Sequence, residues 1–220
     1  MKIVLNHKMN LDYEDIKNYI KNMDDVKHRV IVLPSYIYID AFVKNGFIVG
    51  CQNIYTEDFG PYTGEISPMQ ISSIGAEYVL IGHNERKVMF NEDYDLLNKK
   101  VKSAIKNGLK VILCVGENKG ENEDALYKQV TSALNGVNEK VCIVYEPVYS
   151  IGTGIIPSNE EIEKKVHYIK SLVNCEVLYG GSVLPSNIDV LKKVNNIDGF
   201  ILGSSSLNPQ DVKKILEVVQ

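Results

Sequence analysis

The chain has no tryptophan among its 220 residues and only four cysteines, Cys51, Cys114, Cys142 and Cys175, none in a CxxC or Cys/His arrangement. That spacing excludes the usual zinc ligand sets. Thiols this scattered, each in or beside an apolar run, read as buried and free in a reducing cytoplasm rather than as a disulfide framework. Long apolar stretches are missing too. No run approaches the roughly 18 residues that suggest a membrane span, and the N-terminal MKIVLNHKMN turns polar after five residues, too soon for a signal-peptide core. No basic face stands out, and the formal charge of −4 gives no reason to expect nucleic acid. A small anion remains open as a ligand, because individual lysines and backbone amides bind anions against the global sign. The dinucleotide fingerprint GxGxxG is absent after the first apolar run, where the chain reads NHKMN. No Pro/Gly/Ser linker or low-complexity stretch divides the chain, so one domain over residues 1–220 is expected.

What is present is an alternation. Eight short, β-branched runs recur: 2–5, 29–33, 47–51, 78–81, 110–115, 140–145, 176–179 and 199–202. They are continuously apolar, as parallel strands covered on both faces must be. Between them lie segments with helical spacing. Leu11–Met23 carries Leu11, Ile16, Tyr19, Ile20 and Met23 on one side. Asp95–Asn107 ends at Gly108, Glu123–Leu134 precedes Gly136, and Ser158–Val173 opens with a capping serine followed by acids. Pro185–Val194 and Pro209–Val219 each place a proline near the first turn. Eight strand–helix units in one domain predict either a closed (β/α)8 barrel or an open doubly wound sheet, and periodicity does not separate them.

In a barrel, the polar residues just past each apolar run would converge on one pocket. Those residues are Asn6-His7-Lys8, Gly82-His83-Asn84-Glu85-Arg86, Glu146-Pro147, Gly180-Gly181-Ser182 and Gly203-Ser204. Taken singly, each has a plainer reading. A strand-end glutamate caps or salt-bridges, a histidine after glycine makes a turn, a lysine near a terminus snorkels, and glycine pairs are merely turns.

Taken together they resemble a known family. NHKMN, QNIYTEDFGPYTGEISP, VLIGHNER, VILCVGE, VYEPVYSIGTG, LYGGSV and GFILGSSSL occur in the order and at roughly the spacing of the triosephosphate isomerases. The resemblance implies the (β/α)8, or TIM, barrel. It also implies an isomerase of the triose phosphates in glycolysis and gluconeogenesis, needing no cofactor or metal. Glu146 would be the base and His83, neutral at a helix N-terminus, the electrophile. Lys8 would stabilise the enediolate and the phosphate, and Asn6 would hydrogen-bond the substrate. Gly152, Ser182, Gly203 and Ser204 would bind the phosphate through backbone amides. Pro147-Val148-Tyr149 and Gly152-Thr153-Gly154 would be the hinges of a lid with Ile151 at its tip. Glu85 reads as a relay or supporting acid and Arg86 as a structural ion-pair partner.

The long segment Asn53–Glu65, with Phe59, Tyr62 and Thr63, would reach into a second subunit and support that subunit's asparagine and histidine. A homodimer follows, or a tetramer, since shorter members of the family form them. Departures from the family pattern also occur. Tryptophan is usual where His7 and Tyr149 stand, serine at Asn84, alanine at Ser150, lysine at Ile155 and glycine at Ser204. The change beside His83 leaves open a related isomerase acting on a four-carbon ketose phosphate such as erythrulose phosphate. A non-catalytic barrel that only binds a phosphorylated ligand is a further alternative, against which Glu146 and His83 both stand.

Overall fold

The computed structural model describes residues 1–219; Gln220 of the expected 1–220 domain lies outside them. Eight strands are present among the described residues: β1 (Lys2–Asn6), β2 (Ile31–Leu33), β3 (Ile48–Cys51), β4 (Tyr78–Ile81), β5 (Lys110–Val115), β6 (Cys142–Tyr145), β7 (Glu176–Tyr179) and β8 (Gly199–Leu202). Each pairs in parallel with the next, and β8 returns to β1 with Lys2–Leu5 opposite Gly199–Leu202. The sheet is therefore a closed barrel. After β1, β2 and β3 come α1 (Tyr13–Met23), α2 (Ile39–Lys44) and α3 (Pro68–Ser73). Two helices follow β4, α4 (Asn84–Met89) and α5 (Tyr94–Lys106). Then α6 (Glu123–Ala133), α7 (Asn159–Leu172), α8 (Ile188–Leu191) and α9 (Pro209–Val218) follow the remaining strands.

The period of two along each strand explains both the core and the site. On β6, Cys142 and Val144 join the cluster inside the barrel, while Ile143 and Tyr145 pack outward under the helices. The next inward position after Val144 is residue 146. On β1, Val4 faces in and Leu5 out, so residue 6 is directed inward and residue 7 outward. Both layers are apolar, which is why the strand sequences show no polar alternation. Each fully buried Ile, Leu or Val removes enough surface from water to contribute roughly 1.5–3 kcal/mol.

Helix starts follow local chemistry. Asp12, Ser67 and Ser158 each form a reciprocal capping box with the residue three further on, Asp15, Gln70 and Glu161. The helix expected over Pro185–Val194 is the one clear correction. Only Ile188–Leu191 is α-helical, because Asn187 Oδ1 accepts the Leu184 amide and holds residues 185–187 as a turn. Pro185 precedes that helix and is not part of its first turn. The four cysteines are free, three of them buried and Cys175 half-buried. Burial pushes the Cys51 and Cys142 thiols up to about 12 and the Cys175 thiol to about 11, so none is a ready nucleophile.

Candidate active site

One cavity of about 250 Å3 opens at the C-terminal ends of the strands. Asn6, Lys8, His83, Glu146, Gly152, Ser182, Gly203 and Ser204, the residues singled out in the sequence, all line it. Asn10, Ile151, Gly180, Gly181, Val183, Ile201 and Leu207 complete the wall.

Glu146 follows β6 at the inward position. Its backbone amide donates to Val115 O at 2.8 Å, extending the β5–β6 ladder one residue past the strand. The side chain is almost fully buried, and Oε2 has no hydrogen-bond partner among the described residues. Two glycines make room for it. A Cβ on Gly116 would lie 1.8 Å from Glu146 O, and one on Gly180 would lie 2.5 Å from Glu146 Cγ. Only residues without a side chain let the β5 and β7 ends close around this acid.

His83 caps α4, and Glu146 faces it across the cavity. The Glu85 amide donates to His83 Nδ1 at 3.4 Å, which assigns the ring proton to Nε2. Nε2 in turn lies 3.5 Å from Glu146 Oε1. The imidazole thus presents its Nε2–H toward the carboxylate and the cavity. Behind it, Glu85 lies near two groups, with Oε1 2.7 Å from Lys8 Nζ and Oε2 3.5 Å from His83 Nδ1. Lys8 and Glu85 thus form one pair and His83 and Glu146 another, with Glu85 Oε2 beside the unprotonated Nδ1 but not hydrogen-bonded to it.

Lys8 reaches the cavity by a route that strand period alone does not supply. β1 ends at Asn6, and Lys8 adopts a left-handed backbone with φ of 52°, uncommon for a residue with a side chain. Asn6 Oδ1 accepts the Lys8 amide at 3.1 Å, while Gln52 Nε2 and Ser35 Oγ donate to Lys8 O at 2.8 and 3.2 Å. Such strain persists only where the surroundings over-determine it. The same turn throws His7 outward, where it is fully buried against Tyr19 and Phe42 with ring centroids 4.7 and 5.8 Å away. Neither His7 nitrogen has a partner among the described residues, and burial holds its pKa down at about 3.

The turns after β7 and β8 form the opposite wall. Asn187 Nδ2 donates to Ser182 O at 2.9 Å, and Ser205 Oγ donates to Val183 O at 2.6 Å, tying the two turns together. A single 3-10 turn, Ser204–Leu207, begins at this wall, and no side chain caps its start. A Cβ on Gly203 would lie 3.9 Å from Lys8 Cε, so the lysine stem passes directly over the β8 turn. Above the cavity, Val148–Ser150 form another 3-10 turn, and Gly152, with φ of 67°, lines the cavity beside Ile151.

Arg86 takes no part in the cavity wall. It pairs with Glu92 at 2.7 Å, which also binds Lys100 at 2.6 Å, and Lys100 Nζ donates to Asn53 Oδ1 at 2.8 Å. Glu92 and Lys100 side chains are each only 3% exposed. This buried cluster anchors the start of the segment Asn53–Glu65. Sequence reasoning did not single out Gln52, Gly116, Glu92 or Lys100. The signals for Gly116 and Gln52 were present in VILCVGE and QNIYTEDFGPYTGEISP, but no local pattern marks Glu92 or Lys100.

A closed (β/α)8 barrel that gathers an acid, an imidazole, a lysine and two glycine turns at the C-terminal ends of its strands has the architecture of a barrel enzyme. Within that class, the family model "Triosephosphate isomerase" matches residues 1–219, and the chain belongs to the triosephosphate isomerase family. Triosephosphate isomerase of Alkaliphilus oremlandii is 35% identical, with 96% of each chain covered. Those of Caldanaerobacter subterraneus and Thermodesulfovibrio yellowstonii are 35% and 37% identical over 91% and 84% of this chain and 90% and 84% of their own. The protein is an isomerase.

Proposed function

We propose that the enzyme interconverts dihydroxyacetone phosphate and D-glyceraldehyde 3-phosphate through an enediolate. The observation that carries this reading is the Glu146–His83 pair, 3.5 Å apart at the mouth of a cavity whose far wall is two glycine turns. With the phosphate seated on the amides around Ser182, Gly203 and Ser204, the two reacting carbons reach back toward Glu146. Its carboxylate removes a proton from C1. The electron pair moves to the C2 oxygen, where the Nε2 proton of His83 and the Lys8 ammonium stabilise the negative charge. Protons exchange between the two oxygens through the imidazole, and Glu146 returns the carbon-bound proton to C2, giving the aldehyde. Residues 147–154 act as a lid whose closure excludes water and strengthens each of these contacts.

The decisive assay is coupled turnover on purified protein, comparing dihydroxyacetone phosphate with erythrulose 1-phosphate. Rapid turnover of the triose is expected, in keeping with a glycolytic role in the cytoplasm. Turnover confined to the four-carbon sugar would transfer the assignment to a ketotetrose-phosphate isomerase, the reading that the Asn84 departure favours. Glu146→Gln should cost several decades of kcat while phosphate-ligand binding stays within a few-fold. Near-normal turnover in that variant would sink the assignment of the base.

The active unit is a homodimer in this reading, with the whole chain acting as one domain in each subunit. Phe59 and Met9 are 77% and 94% exposed, and a hollow of about 100 Å3 lies between Lys8, Gln52, Asn53, His83 and Glu85. It suits the tip of a neighbour's 53–65 loop carrying Thr63. Sedimentation of wild type and Phe59→Asp tests this: the variant should lose both mass and activity, and a monomeric, fully active wild type would refute it.

A further inference from the structure

Lys87 is a cation that the proposed steps do not use. It lies one helical turn after His83 on α4, with its amide donating to His83 O at 3.3 Å, so both side chains leave the same face of that helix. The Lys87 side chain is partly buried and has no carboxylate within ion-pair distance among the described residues. Its Nζ donates to Gln129 Oε1 at 3.2 Å. Gln129 in turn holds the Gly116 turn from both sides, accepting from Gly116 N at 3.1 Å and donating to Gly116 O at 2.8 Å. Gly116 is the residue on which a Cβ would lie 1.8 Å from the Glu146 carbonyl oxygen.

Burial disfavours the charged form of Lys87, whereas the Cys114 and Glu146 side chains, both within Coulomb range, favour it. Cys114, in the barrel interior, also interacts with Glu146. The groups acting on Glu146 are then His83 at 3.5 Å, Cys114 from β5 and the charge of Lys87 from α4. Glu85 and Lys8 stand behind the histidine, and β7 meets the acid with Gly180. Lys87 is the one cation among them that the substrate does not need. A partly buried ammonium without its own acid is costly unless a nearby anion compensates it. Glu146 is the carboxylate whose charge favours the Lys87 ammonium.

We infer that Lys87 is a positioning residue for the proton transfer, acting on Glu146 through the Gln129–Gly116 clamp and with its charge. The inference rests on the isomerase reading. It is tested with Lys87→Met, which removes charge and clamp, Lys87→Gln, which keeps a donor for Gln129, and Lys87→Arg, which keeps the charge. The Met and Gln variants should lose about tenfold in kcat, since small misplacements of a base are felt at the chemical step, with KM within twofold. The primary isotope effect with C1-deuterated dihydroxyacetone phosphate should rise in both, as proton abstraction becomes the slow step. The Arg variant should recover most of the loss.

Wild-type kcat and isotope effect in Lys87→Gln, or an equal loss in Lys87→Arg, would overturn the inference while leaving the isomerase standing. Should Lys87→Met not accumulate as folded protein, the Gln and Arg pair decides alone. A wild-type enzyme that does not turn over the triose would overturn the isomerase reading and this inference with it.

Discussion

The outward-facing imidazole of His7 makes stability depend on pH in a calculable way. In the fold it is sealed among Tyr19 and Phe42, with no acceptor for an imidazolium, and its pKa falls from 6.5 to about 3. Unfolded, it titrates near 6.5 like any exposed histidine. Between those values the unfolded chain binds a proton that the folded chain refuses. The stability that His7 permits is therefore complete above pH 6.5 and is lost as pH falls toward 3. Single-site linkage puts the loss at about 2 kcal/mol on going from pH 7 to 5, and about 4 kcal/mol by pH 3. Carboxylates titrate in the same range, so the comparison must be with a chain lacking this group alone. His7→Leu is close in volume and keeps the site apolar, and any fixed packing offset cancels when only the pH dependence is read. Urea unfolding of both proteins at pH 7 and pH 5, at one protein concentration, gives four midpoints. Wild type should lose about 2 kcal/mol more than the variant over that interval. Equal losses would mean that His7 binds its proton in the folded state, and the argument from burial would fall.

Three further outcomes are expected. Gly180→Ala places a methyl group 2.5 Å from Glu146 Cγ. kcat should fall at least about tenfold as the acid is displaced, read by coupled assay against an unchanged far-UV spectrum. Lys100→Met leaves Glu92 buried with Arg86 as its remaining cation and should cost about 3 kcal/mol in urea unfolding. It should also loosen the Asn53 loop, read as weaker self-association in sedimentation. Gln52→Ala removes the 2.8 Å donor to Lys8 O, and KM for the phosphorylated substrate should rise several-fold as Lys8 relaxes from its left-handed backbone.

Much of the barrel was legible because covered parallel strands advertise themselves as unbroken apolar runs. Tyr78–Ile81, Lys110–Val115, Glu176–Tyr179 and Gly199–Leu202 fall where the sequence puts them. Charged starts were trimmed elsewhere: Arg29 and Lys140 lie outside β2 and β6, since the ladder begins only where a neighbour's strand faces it. Closure was not legible in periodicity, because the β1–β8 register links residues at opposite ends of the chain. The two-turn helices α2 and α3 carry too few residues for their period to show. The cavity residues were visible through motif resemblance and strand-end position. What holds them was not: the φ of Lys8, the approach of Gly116 to Glu146 O and the Glu92–Lys100 pair arise from neighbours distant in sequence.

The pairing of the first strand with the last also has a consequence for synthesis. Lys2–Leu5 cannot acquire their second neighbour until Gly199–Leu202 have left the ribosome. At about 5–20 residues per second that delay is roughly 10–40 s. Throughout it, one edge of β1 and the apolar lining of an unfinished barrel stay open to water and to other nascent chains. Growing chains of this enzyme should thus lean on chaperones that shield strand edges, and the hazard should end abruptly when the eighth strand docks.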